Sequence, residues 1–155
     1  MFTYKNIIDN IHNITKCGTN FLRIYYLHYA FEQESCQLKK DVNFNVKNKN
    51  VIIVDDIIDT AGTITVASKA LKEAGAKDIY VACSHPILSH PAIERINDSP
   101  IKKVITTNSI QISEDKKTDK IVQLSIAKIM GQGILNIIDG KSVSYLFTYD
   151  PNNRL

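Results

Sequence analysis

Short apolar runs alternate with amphipathic stretches along the chain from residue 50 onward. The runs Val51–Val54, Ile79–Cys83 and Lys103–Thr107 are rich in apolar and β-branched residues, so they predict buried strands. Between the first two runs, apolar residues recur at helical spacing. This spacing predicts a helix that is capped by Thr63 and runs to about Ala74, with the apolar face Val66, Ala67, Ala70, Leu71 and Ala74. A strand, a helix and a strand in this order form a crossover unit, which implies parallel strands.

The rest of the C-terminal part predicts further elements of the same kind. Pro91–Asn97 is typical of a short helix, Ile112–Lys120 of a polar loop, Ile121–Leu124 of a short strand and Ser142–Phe147 of a closing strand. A longer helix lies between these two strands. We expect it to pack on the sheet through a stripe with helical spacing, formed by Ile126, Ile129, Met130, Gly133, Ile134, Ile137 and Ile138.

The N-terminal part has a less decisive pattern. Residues 1–20 carry a weak helical stripe, formed by Ile7, Ile8, Ile11 and Ile14. Phe21–Phe31 is compatible with a strand or with a buried helix, and residues 32–50 are polar, as in a loop. The whole pattern predicts an α/β fold with an open, mainly parallel sheet and flanking helices, preceded by a segment of uncertain structure over residues 1–45.

Carboxylates and hydroxyls follow the first predicted strand. Asp55 and Asp56 come directly after it, and the turn Asp59–Thr63 adds a third carboxylate, two threonines and a glycine before the helix opens. Open α/β sheets bind ligands beyond the carboxyl ends of their strands, and helix N-termini attract phosphate. Because carboxylates repel phosphate, they indicate that a sugar or a divalent cation lies beside it. We therefore predict a ribose-phosphate site; an acidic helix start is the alternative that needs no ligand.

The orientation of these side chains adds further expectations. Consecutive side chains of a strand point to opposite faces, so Asp55 and Asp56 can both face one ligand only if the chain leaves the sheet there. A carboxylate beside a phosphate is unfavourable, and we expect Asp59 to cap the turn by accepting backbone N–H groups. His85 follows the next strand at the same sheet edge, where it faces either the pocket or the solvent.

Composition limits the class of protein. One domain is expected for 155 residues, and a hydrophobic fraction of 44% with 23% charged residues is ordinary for a globular protein. A net charge of +3 without a basic stripe suits a small anionic ligand and not a nucleic acid. Cys17, Cys36 and Cys83 have no disulfide-framework or zinc-site spacing. Neither a signal peptide nor a bilayer-spanning segment is recognisable, so we expect a cytoplasmic protein that binds no membrane.

Four segments resemble those of one protein family. Val54–Thr63 resembles the phosphoribosyl-diphosphate loop of the type I phosphoribosyltransferase fold. Ser84–Ile93, Val104–Ile110 and Gly140–Phe147 are similar to segments of ribose-phosphate pyrophosphokinases, also called phosphoribosyl-diphosphate synthetases. They occur in the right order at compatible spacing. Residues 46–150 thus resemble the C-terminal domain of that family, with residues 1–45 as a divergent segment and residues 151–155 as a tail.

The resemblance implies roles for three sets of residues. The ribose 2- and 3-hydroxyls would be hydrogen-bonded by Asp55 and Asp56. The 5-phosphate would be held by the loop residues Asp59, Thr60, Ala61, Gly62 and Thr63. A regulatory phosphate or ADP would bind at Ser142, Ser144 and Phe147, for which an edge strand that carries hydroxyls is the simpler alternative.

The resemblance also implies an activity, which is transfer of the diphosphate of ATP to the 1-hydroxyl of ribose 5-phosphate with Mg²⁺ as cofactor. In the family, ATP is bound mainly by an N-terminal domain and a basic catalytic loop, neither of which is recognisable in residues 1–45. We expect the ATP site to lie largely outside this chain, in a homo-oligomer or an association with a full-length synthetase. Two alternatives stay open: a phosphoribosyltransferase, and a non-catalytic paralogue that binds ribose phosphate.

Overall fold

The computed structural model describes residues 21–26 and 46–147 of the chain. Within these ranges the elements are β1 (Phe21–Tyr26), β2 (Asn50–Ile58), α1 (Gly62–Glu73), β3 (Ile79–Pro86), α2 (Ala92–Asn97), β4 (Ile101–Thr107), β5 (Ile121–Leu124) and α3 (Ala127–Ile138). Two short 3₁₀ helices span Glu114–Lys116 and Ser144–Phe147. The described residues fall into two compact units, the first with residues 21–26 and 46–124 and the second with residues 125–147. The first unit contains the whole sheet.

In the described part of the chain, five strands form one sheet in the order β1-β2-β3-β4-β5. Every neighbouring pair is parallel. The predicted α/β fold with an open parallel sheet is therefore confirmed, and β1 decides between the two alternatives for Phe21–Tyr26. Because all strands run in the same direction, their carboxyl ends meet at one edge of the sheet.

Strand β2 is longer than its apolar run. The run ends at Val54, but β2 continues to Ile58, since Ile57 pairs with His85 and Ile58 with Pro86 of β3. Within the described residues, β1 pairs with β2 up to Tyr26 and Val54. The two carboxylates that the sequence placed after the strand thus lie within it, on a stretch paired with β3.

Both faces of the central strands are buried, as expected for a parallel sheet. On one face, Ile53 of β2 and Val81 of β3 belong to a core cluster with Ile64 and Leu71 of α1. On the other face, Ile52 is 3% exposed. This core holds α1 against β2 and β3, so the loop that joins β2 to α1 is anchored at both ends.

Helix α1 begins earlier than predicted. The expected cap was Thr63, but the N-cap is Ala61, which has the left-handed backbone φ 59°, ψ 10° and makes no side-chain cap hydrogen bond. The backbone N–H of Thr65 donates to the carbonyl oxygen of Ala61 at 3.2 Å. The prediction was wrong because the left-handed turn at Ala61 aligns the backbone for the helix without a capping hydroxyl.

Two predictions for residues 125–147 are wrong. The stripe of α3 was expected to be buried, but its members Met130, Ile134, Ile137 and Ile138 are each more than half exposed. Asn136 is the buried residue of α3, because its side chain is held between the amide of Gln132 and the carbonyl oxygen of Ser142. The sequence of α3 is apolar on nearly all sides, so spacing alone could not select the buried face.

The second wrong prediction is the closing strand, since Ser144–Phe147 forms a 3₁₀ helix. The N–H of Ser144 donates to Oγ of Ser142 at 3.1 Å, a local bond that replaces strand pairing. The predicted helix of residues 1–20 and the segment Leu27–Phe31 lie outside the described residues. None of the described helices is long and apolar enough to cross a membrane.

The packing of α1 can be tested by truncating one core side chain. We expect Leu71→Ala to lower the free energy of unfolding by about 2–5 kcal/mol, because Leu71 is fully buried and the cavity would not close. Val66 lies on the same helix but is 43% exposed, so Val66→Ala should cost about 0.5 kcal/mol or less. Urea denaturation of both variants measures the difference. Equal losses would contradict the packing of α1 on the sheet.

Candidate functional site

The loop between β2 and α1 presents backbone N–H groups in one direction. Ala61 has a left-handed backbone conformation, and the right-handed helix begins at Gly62. Two successive residues with backbone conformations of opposite hand form a concavity that is lined by N–H groups. The first helical hydrogen bond comes from Thr65, so the N–H groups of Gly62, Thr63 and Ile64 have no partner within the helix. This combination of loop concavity and helix N-terminus attracts anions.

Buried Thr65 satisfies the carbonyl groups of this loop, and sequence analysis missed it. Its Oγ1 lies 2.9 Å from the carbonyl oxygens of both Ala61 and Gly62, to which it donates. Ser68 in turn donates to the carbonyl oxygen of Thr65 at 2.8 Å. These bonds turn the loop carbonyls toward the helix, and the concavity is left with N–H groups.

Arg95 is a second residue that sequence analysis missed. It lies on α2, and its Nη1 donates to the carbonyl oxygen of Thr60 at 3.0 Å. A Cβ atom added at Gly62 would lie 3.4 Å from the same nitrogen. No spacing rule could have found this contact, because the loop and α2 belong to successive crossover units and meet only at the sheet edge.

The side chains of the loop differ in exposure. Asp59, Thr60 and Thr63 are exposed, Gly62 is half-buried and Ala61 is buried. The expected cap by Asp59 is not found, since its carboxylate accepts no hydrogen bond from the described residues. The turn is held by Thr65 and Arg95 instead, which frees the Asp59 carboxylate from a structural role in the described region.

Asp55 and Asp56 occupy consecutive positions of the extended strand β2. Asp55 is half-buried and its Oδ1 accepts the N–H of Asp56 at 3.0 Å, while Oδ1 of Asp56 accepts the N–H of Ile57 at 2.9 Å. Because the strand does not end before them, alternation directs the two side chains to opposite faces of β2. A ligand that contacts both must lie across the carboxyl end of β2.

The negative charge of these carboxylates affects the pKa of Cys83 on β3. It pairs in register with Asp55 and is 6% exposed. The pKa of its thiol is raised to about 12, first by burial and then by the negative charges of Asp55 and Asp56. The site thus combines an electronegative strand end with an electropositive loop that follows directly in the chain.

His85 lies at the same edge of the sheet, and its side chain is exposed. This exposure agrees with the orientation toward the solvent, one of the two that the sequence allowed. Its Nδ1 is hydrogen-bonded to Oγ of Ser109 at 2.9 Å, with the donor set by the tautomer of His85, and Oγ of Ser109 donates to the carbonyl oxygen of Ser84 at 2.8 Å. This leaves Nε2 as the nitrogen not engaged by Ser109, and a role of His85 in the pocket stays a prediction.

The predicted regulatory residues belong to the second unit. Ser142 and Ser144 are exposed, and Ser142 accepts the N–H of Ser144 through its Oγ. The side chain of Phe147 lies outside the described part of the structure. Regulatory binding at these residues stays a prediction.

The family model described as "Phosphoribosyl synthetase-associated domain" matches residues 33–148. The chain belongs to this family. The resemblance seen in the sequence is thereby confirmed, and the family's match begins within residues 1–45, the segment that we had expected to diverge.

Named relatives agree with the family. The chain is 57% identical over 103 residues to a ribose-phosphate pyrophosphokinase of Listeria ivanovii and 51% identical over 104 residues to that of Bacillus subtilis. These matches cover 66% and 67% of this chain and 32% and 33% of the relatives. The chain thus spans about a third of the length of the curated relatives it matches.

A solved structure agrees with the fold. The crystal structure of phosphoribosylpyrophosphate synthetase from Mycobacterium smegmatis matches with a TM-score of 0.61 and 40% sequence identity, covering 63% of this chain and 33% of the other. The parallel sheet and its flanking helices are therefore those of a synthetase of this family.

The raised pKa of Cys83 predicts a pH dependence of stability. An unfolded thiol ionises near pH ~8.5, whereas the folded thiol holds its proton to about pH 12. Between these values the unfolded chain binds fewer protons, so stability is fully present below the lower value and falls as pH rises. Urea denaturation between pH 8 and 10 should show this fall, and a Cys83→Ala control should show a smaller one. Equal slopes would contradict the assignment.

Proposed function

We propose that this chain binds ribose 5-phosphate as part of a ribose-phosphate diphosphokinase, which converts ATP and ribose 5-phosphate to AMP and phosphoribosyl diphosphate. The observation that supports this most is the order of charges at the end of β2. Two carboxylates, Asp55 and Asp56, are followed within one turn by the N–H-lined concavity of the loop Asp59–Thr63. A ligand that matches both must carry hydroxyls and a phosphate a few bonds apart.

The phosphate would lie over the start of α1. The N–H groups of Gly62, Thr63 and Ile64 would donate to its oxygens, and the exposed hydroxyls of Thr60 and Thr63 are close enough in the chain to add further bonds. The exposed Asp59 would repel a phosphate in direct contact, so we assign it a place at the rim of the site, nearer the sugar.

The sugar would lie across the carboxyl end of β2. From there the 2- and 3-hydroxyls would donate one to Asp55 and one to Asp56, although the two side chains point to opposite faces.

Diphosphate transfer needs the ribose 1-hydroxyl in line with the β-phosphorus of ATP, with AMP as leaving group. The contribution of this chain would be to hold the sugar so that this hydroxyl points away from the loop, which lowers the entropic part of the barrier. Among the described residues we assign none to ATP. ATP would therefore come from a site formed with other parts of a homo-oligomer or a full-length synthetase in the cytoplasm.

Mg²⁺ is part of the proposal, and the described residues allow it only as an ion that is shared with the phosphate of the substrate. The described residues contain no group of three or more His, Cys, Asp or Glu side chains that could hold a metal ion. Mg²⁺ is commonly held by one or two carboxylates together with substrate phosphates. Because Asp55 and Asp56 point to opposite faces of β2, one of them would hold the ion together with the substrate phosphate, and the ion would neutralise phosphate charge there.

A second candidate function is ribose-phosphate binding without catalysis by this chain. It is favoured by the absence of an assigned ATP group among the described residues. A phosphoribosyltransferase is less well supported, because the relatives compared above are all ribose-phosphate pyrophosphokinases or synthetases.

One set of measurements separates these functions. The full chain is titrated with ribose 5-phosphate by calorimetry and then assayed for AMP with ATP and Mg²⁺, alone and with a full-length synthetase. Binding together with AMP formation by the chain alone supports the diphosphokinase. Binding without AMP supports the non-catalytic candidate, and base-dependent release of diphosphate from phosphoribosyl diphosphate selects the transferase. Absence of ribose 5-phosphate binding would overturn the proposal.

The role of Thr63 can be tested by removing its hydroxyl. We expect Thr63→Ala to weaken binding of ribose 5-phosphate by about 1–3 kcal/mol, the cost of losing a hydrogen bond to a charged group. Calorimetry gives the affinity, and Ser113→Ala serves as the control because Ser113 is an exposed hydroxyl in the loop before β5. An unchanged affinity of Thr63→Ala would remove Thr63 from the phosphate site.

A further inference from the structure

Arg95 touches the proposed phosphate loop from a neighbouring helix. Its Nη1 donates to the carbonyl oxygen of Thr60 at 3.0 Å, and a Cβ atom at Gly62 would lie 3.4 Å from the same nitrogen. This separation is close to ordinary van der Waals contact, so the guanidinium lies directly beside the loop.

The bond to Thr60 determines the direction of one N–H group in the concavity. In a trans peptide the carbonyl and the N–H point in opposite directions. Because Arg95 holds the carbonyl of Thr60 on its own side, the N–H of Ala61 points away from Arg95. If this peptide turned over, a carbonyl oxygen would replace an N–H group in the concavity and would repel an anion.

Helix α2 is a firm base for this contact. Its residues Ala92 and Ile96 are each 0% exposed. Nζ of Lys120 donates to the carbonyl oxygens of Ile96, Asn97 and Ser99 at 3.0, 3.0 and 2.8 Å, which holds the carboxyl end of the helix. The position of Arg95 is therefore determined by the core and by the segment before β5, independently of the loop that it contacts.

We propose that Arg95 is a positioning residue for the anion site. It holds the Thr60–Ala61 peptide so that the N–H groups of the loop face the phosphate of the ligand. The identity of that ligand as ribose 5-phosphate rests on the proposed function, whereas the positioning of the loop does not.

The test compares two substitutions that differ in charge. Arg95→Gln removes the charge, and Arg95→Lys keeps it on a side chain that ends one bond short of Nη1. Calorimetry with ribose 5-phosphate should show about tenfold weaker binding for both, since each loses the bond to Thr60. Lys69→Gln removes one exposed positive charge on α1 and should bind as the unchanged chain does. Thermal melts check that each variant is folded, as expected for an exposed position.

A second readout reports on positioning without any ligand. Amide NMR signals of Ala61, Gly62 and Thr63 should move in ligand-free Arg95→Gln and Arg95→Lys, but not in Lys69→Gln. Unmoved signals, or an Arg95→Lys chain that binds as tightly as the unchanged one, would overturn the inference and leave only a charge effect. If the unchanged chain does not bind ribose 5-phosphate, the proposed function fails. The amide signals then test by themselves whether Arg95 positions the loop.

Discussion

The parallel pairing of β2 with β3 is the constraint on which the rest of the structure depends. It continues past the apolar run to Ile58 and Pro86, and the carbonyl oxygen of Ile58 then accepts the N–H groups of Ile87 and Leu88 at 3.0 and 3.1 Å. This pairing brings the segment after β3 beside the loop after β2. Without it, neither Cys83 beside Asp55 nor Arg95 beside Thr60 would be in contact range.

The same pairing creates a local separation of charge. Negative charge is concentrated on the strand end, where it helps to raise the pKa of Cys83, and positive partial charge is concentrated on the N–H groups of the next turn. Thr65 and Arg95 turn the loop carbonyls away from this concavity. A polar ligand with hydroxyls at one end and phosphate at the other matches that separation, which connects the family of the chain to the geometry of its loop.

The failed predictions have physical causes of different kinds. The cap at Thr63 was replaced by a left-handed turn at Ala61, because backbone geometry can start a helix without a hydroxyl. The buried stripe of α3 failed because a helix that is apolar on most sides carries no information about its buried face. Ser142–Phe147 did not form a strand, because the hydroxyl of Ser142 accepts the backbone N–H of Ser144 in a local turn there. In α1 periodicity was right in part: the predicted Ala67 and Leu71 are buried, but the predicted Val66 and Ala74 are exposed, because the buried face also includes Ile64, Thr65 and Ser68.

The sequence by itself determined the α/β class, the approximate position of the central strands and helices, the segment Asp55–Thr63 as the candidate site, and the family. These follow from local periodicity and from residues that are adjacent in the chain. Only the tertiary structure decided that β2 extends through Asp55 and Asp56, so that their side chains point to opposite faces. It also decided that Arg95 holds the loop, because a hydrogen bond between residues of two crossover units depends on strand register and helix packing.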